Sequence, residues 1–114
     1  MIPPRVLRKL AESLAKQTQA GKIQWFRPRF DLQRYTYQLS SGQIVVLYSP
    51  SRGGADTIEL AVTDQGGEVI GSLIAEENEP TYDVLADLLF EIQRATGPGP
   101  HQAVTEEVLR LLNP

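Results

Sequence analysis

The chain contains no cysteine and a single histidine, His101. Without thiols it cannot form disulfides, thiolate nucleophiles, iron–sulfur ligation or most structural zinc sites, and one imidazole supplies no nitrogen-rich metal set. Basic residues are missing altogether from residues 53 to 93, a stretch that carries ten acids. No apolar run approaches the roughly 18 to 20 residues a membrane-spanning helix needs, and Met1-Ile2-Pro3-Pro4-Arg5 opens a polar helix rather than a leader. These absences predict a soluble cytoplasmic protein with no cofactor, no bound metal and no membrane partner.

What is present suits one domain. A length of 114 residues with 41% apolar content can bury one core but not two, so residues 1–114 are read as a single unit. Residues 1 to 52 hold nine Lys and Arg against two acids, a net of plus seven, and residues 53 to 93 hold minus ten. Residues 94 to 114 balance two Arg with two Glu, which returns the formal net charge of −3. Fields separated this far bear on docking and on choice of partner. Either a basic first helix lies beside an acidic second one, or a partner answers the asymmetry.

Hydrophobic periodicity gives the elements. Val6, Leu7, Leu10, Ala11 and Leu14 recur at helical spacing between Pro3-Pro4 and Gly21, predicting a helix over about residues 4–20. Between residues 23 and 74 the period becomes two, with Tyr35, Tyr37 and Leu39 and then Ile58, Leu60 and Val62 alternating with polar neighbours. Ile44 to Tyr48 is apolar on both faces, as a central strand is. Turns at Ser41-Gly42 and Asp64-Gln65-Gly66-Gly67 link four strands, and Ile23 to Phe26 suggests a short fifth. Tyr82, Leu85, Leu88, Leu89 and Ile92 mark a helix over about 81–96, and Thr105 opens a short last helix over about 105–112. The predicted fold is α+β: an antiparallel four- to five-stranded meander flanked by an N-terminal helix and a C-terminal helix, with the short helix added.

Three groups of residues are candidates for function. Lys22, Trp25, Arg27, Arg29, Phe30 and Arg34 interleave bases with aromatics, as grooves for single-stranded nucleic acid do, although no ribonucleoprotein signature accompanies them. Either the two helices cover both faces of the sheet, or they share one and another subunit closes the second; in that case Val45, Leu47, Ile70 and Ile74 form a candidate partner-binding face. Glu76, Glu77, Glu79, Asp83, Asp87 and Glu91 make an acidic surface that suits the start of a helix, a basic partner or a hard cation.

Other constellations point away from chemistry. The loop Ser49-Pro50-Ser51-Arg52-Gly53-Gly54-Ala55-Asp56 could offer backbone amides to an anion but lacks the Lys-Ser/Thr pair and following helix of a phosphate loop. His101 sits beside a Gly97-Pro98-Gly99-Pro100 break with no orienting partner in sequence, so a catalytic base is not expected there. The expectation is a non-catalytic protein-interaction or adaptor module, with self-association into a homodimer as the first partner. A single-stranded nucleic-acid binder is the alternative, and a ligand or divalent-cation sensor the third.

Overall fold

The computed structural model describes residues 1–27, 33–51, 53–96 and 100–112. Arg29 and Phe30 lie outside the described residues, as do Arg52 and the side chain of His101. The order is α1 (Pro4–Gln19), β1 (Arg34–Leu39), β2 (Gly42–Ser49), β3 (Thr57–Asp64), β4 (Val69–Glu76), α2 (Pro80–Thr96) and α3 (Pro100–Leu112). This is the α+β arrangement that the periodicities predict.

Helix α1 starts where Pro4 takes the first helical position, its fixed φ and missing N–H both suited to that place. It stops at Gly21, which adopts a φ of 75° that side chains with a Cβ rarely tolerate. There the Gly21 N–H donates to the Thr18 carbonyl at 3.0 Å and the Lys22 N–H to that of Gln17 at 2.9 Å, closing a Schellman motif. Leu7, Ala11, Leu14 and Thr18 form its buried stripe.

The sheet is an antiparallel meander in the order β1-β2-β3-β4. Ser40 and Ser41 turn the first hairpin, so Gly42 is already the first residue of β2, paired with Leu39. A Cβ on Gly42 would collide with the Thr63 carbonyl oxygen of the adjacent strand, which is why glycine stands there. Between β3 and β4 the register shifts at Val62/Thr63, leaving Ile70 as the extra residue of a bulge. The fifth strand expected at 23 to 26 reduces to one bridge, with Phe26 exchanging hydrogen bonds of 2.7 and 2.8 Å with Thr36 on the β1 edge. Helix α3 begins five residues before the predicted Thr105, because Pro100 is a good first helical residue rather than part of the break.

Both long helices pack on one face of the sheet and against each other. Leu7 and Leu14 of α1 and Leu85, Leu88, Leu89 and Ile92 of α2 meet Ile44, Val46, Ile58, Leu60, Val62 and Ala75 from the sheet. Burial of each such large side chain contributes about 1.5–3 kcal/mol, so this cluster fixes which face the helices occupy. Ile23 and Trp25 close the core beside β1. The Trp25 indole N–H donates to Thr18 Oγ1 at 2.9 Å, and Thr18 donates in turn to the Leu14 carbonyl at 2.6 Å. Thus the segment after α1 is clamped back onto the helix it leaves. Among the described residues, no helix is long and apolar enough to cross a membrane.

Candidate functional site

Strand alternation and the register determine what the other sheet face displays. One row runs Thr36, Val45, Ala61 and Ser72 across β1 to β4, with Phe26 bridged to its β1 end. The next runs Arg34, Leu47, Glu59 and Ile74. None of these residues belongs to the core beneath the helices. Phe26 is 66% exposed and Ile74 57%, while Leu47 between them in the grid is half-buried. Polar groups punctuate the face: Arg34 is exposed at one side of Leu47, and Glu59, on the other, accepts a 2.9 Å hydrogen bond from Ser72 Oγ.

Two of the four residues predicted for this face add little accessible surface to it, and one of them, Ile70, turns to the other side. Ile70 packs, half-buried, against the core under the helices, and its carbonyl accepts the Ile2 N–H at 2.8 Å. The bulge is the cause, since its extra residue breaks the alternation that would send Ile70 outward. Val45 does point to the outer face but is only 7% exposed, flanked across the strands by Thr36 and Ala61. Leu47 and Ile74 therefore carry the accessible part, joined by Phe26 and, at the bulge, by Val69. In the sequence Phe26 stands in the basic aromatic run, where it reads as a ring able to stack rather than as part of a sheet face. Its parity with Gln24, opposite Ile23 and Trp25, is the signal that sets it outward.

The described residues of the basic aromatic group do not form one surface. Trp25 is 8% exposed and committed to Thr18, and its ring lies 5.8 Å from that of Tyr37 at 54°, so it is not available to stack on a base. Lys22 is exposed, Arg27 is half-buried and engaged in a contact, and Arg34 is exposed on the outer sheet face.

The acidic residues are spread around the start of α2. Glu76, Glu77, Glu79, Asp83 and Asp87 are exposed and Glu91 half-buried. Glu79 Oε1 accepts the Glu76 N–H at 2.9 Å, a tie that helps seat the first turn of α2. Among the described residues, no three His, Cys, Asp or Glu side chains converge so as to hold a metal ion.

The β2–β3 loop is tied by its own acid. Asp56 accepts the Tyr48 hydroxyl at 2.6 Å and the Ser51 N–H at 3.0 Å, while its carbonyl accepts the Glu77 N–H at 3.0 Å. A carboxylate thus occupies the place where an anion would meet the Ser51 amide. The Tyr48 hydrogen bond, with the Ser51 amide, holds the Asp56 carboxyl below its ordinary value. Its charge, through that bond and with burial, pushes the Tyr48 phenol up to about 12. Tyr82 is raised as well, first by burial and then by the charges of Asp56 and Glu77. A polar depression of about 210 Å³ at the hairpin end is lined by Gln38, Gln43, Thr63 and Asp64 among others. That is smaller than the roughly 300–1,000 Å³ usual for small-molecule sites.

Apolar side chains are also exposed along α3: Val104, Val108, Leu109, Leu111 and Leu112. Comparison with protein-family models, curated proteins and solved structures finds no match to this chain.

Proposed function

We propose that the chain is a non-catalytic protein-interaction domain, acting in the cytoplasm as an adaptor or regulatory subunit through the helix-free face of its sheet. The observation that carries this reading is the display of Phe26, Leu47 and Ile74 on a face that neither α1 nor α2 covers. Exposed apolar side chains interspersed with polar ones on a face that the protein's own helices leave open are a usual mark of a surface that meets another protein. Arg34 and Glu59 beside Leu47 add charges of both signs, which select among partners more than they add affinity. The test is capture from native extract after nuclease treatment and a high-salt wash, with the wild-type chain and the Leu47→Arg/Ile74→Arg variant compared. Proteins held by the wild type and lost by an equally stable variant support the reading; identical recovery by both contradicts it.

One observation favours a second reading. Phe26, exposed on the sheet with Arg34 nearby on the same face, offers one stacking ring and one cation to a single strand. Binding of labelled oligonucleotides that weakens steeply between about 50 and 200 mM salt supports it. No binding at the lower salt removes it.

A further inference from the structure

Among the described residues, two apolar surfaces are uncovered: the outer face of the sheet and the stripe of α3. Val104, Val108, Leu111 and Leu112 fall at helical spacing on one side of α3, and Leu111 is 82% exposed. The molecule is correspondingly extended, 52 × 34 × 26 Å, with a radius of gyration of 15.3 Å. A compact domain of this length is expected near 13 Å.

Covalent reach rules against these two surfaces meeting within one chain. Helix α2 lies in the layer on the inner side of the sheet, and layers stack about 10 Å apart. A helix covering the outer face would sit about 20 Å from that layer. The chain from Thr96 to Pro100 makes four Cα steps, at most about 14 Å even when fully extended. A second molecule has no such restriction.

Resting on the interaction reading above, we infer that the occupant of the open sheet face is a second copy of this chain, with α3 of each protomer laid across the Leu47–Ile74 face of the other. The exchange is reciprocal and closes as a two-fold dimer. Dimensions match: 13 residues of helix run about 20 Å, and four strands span about 19 Å. One charge matches too, because Glu107, on the flank of the α3 stripe, can answer Arg34 beside Leu47. With a contact strip about 10 Å wide, each helix–sheet contact takes about 400 Å² from the two surfaces, so the pair buries about 800 Å². Areas of that size give weak, reversible association.

The absence of cysteine makes the test clean. Two single-cysteine variants of different tag mass, Ile74→Cys and Val108→Cys, are mixed and treated with a short bismaleimide, while sedimentation of the wild type is followed from about 1 μM to about 1 mM, the range of weak complexes. Reversible dimerisation together with a mixed Ile74→Cys/Val108→Cys adduct as the main product is the expected result. Dominant Ile74→Cys self-adducts would mean sheet on sheet, and dominant Val108→Cys self-adducts helix on helix; either overturns the exchange. A strictly monomeric chain overturns self-association altogether. In that case capture of another protein through Leu47 and Ile74 would leave the interaction reading standing, whereas failure of both experiments removes both.

Discussion

Replacing Thr18 with valine isolates the hydrogen bond that clamps the segment after α1. The two side chains are nearly isosteric, Thr18 is 3% exposed, and its hydroxyl is the acceptor for the Trp25 indole. In Thr18→Val the buried N–H loses that acceptor, at a cost of about 1–3 kcal/mol. The Leu14 carbonyl still receives its helical N–H, so the loss falls mainly on the indole. At about 2.1 cal/mol/K per residue, the unfolding entropy of 114 residues is about 240 cal/mol/K, so each kcal/mol lowers Tm by about 4 °C. The expected fall is therefore about 4–12 °C. Trp25 is the sole tryptophan, which makes its fluorescence a direct reporter of urea unfolding. Thr18→Ser keeps the hydroxyl and serves as the control. On a Trp25→Phe background, followed by circular dichroism, the valine substitution should cost about 1 kcal/mol less than in the wild type, since the donor is already gone. Equal stability of the valine and serine variants, or strict additivity with Trp25→Phe, would refute the reasoning.

Gly42→Ala should cost about 1–3 kcal/mol in chemical denaturation, because the new methyl must push the Thr63 carbonyl out of the β2–β3 ladder. Gly66→Ala, whose Cβ meets only an Asp64 oxygen at 3.4 Å, should stay within about 0.5 kcal/mol. In alkaline titration of the tyrosinate absorbance, Tyr48→Phe should remove the step near 12, and Asp56→Asn should bring that step down toward the ordinary phenol range. A phenol raised in the folded state contributes stability below about 10 that is lost as pH rises to about 12, so the wild type should weaken across that window more than Tyr48→Phe does. The Asp56 carboxyl is lowered, so its contribution is present above about 3.9 and disappears as pH falls through its folded value, which acid unfolding of Asp56→Asn against the wild type will show.

Much of the fold was legible because local signals and the core agreed. Pro4 and Gly21 bracket α1 for reasons confined to their own backbones, and the leucine stripe of α2 has a single plausible burial face. The sequence left open whether the helices cover both sheet faces or share one, and the structure places α1 and α2 together on one face. Other features depend on pairing that no local pattern encodes. Ile70 turns inward because of a bulge whose position is set by the β3–β4 register, and Trp25 separates from its basic neighbours because Thr18, seven residues earlier, offers a buried acceptor. The Tyr48–Asp56 tie spans the β2–β3 loop, and only the closed hairpin brings hydroxyl and carboxylate to 2.6 Å.

The central claim is that the outer sheet face is covered in the working state while the inner core is always covered. Methyl NMR of Ile, Leu and Val side chains with a soluble paramagnetic probe measures this directly, first on dilute protein and then at increasing concentration or with a captured partner. The account predicts that Leu47 and Ile74 are strongly attenuated by the probe when dilute and become protected on association, with Leu85, Leu88 and Ile58 protected throughout. Attenuation of Leu47 and Ile74 that never changes, while association proceeds and protects other methyls, would contradict it.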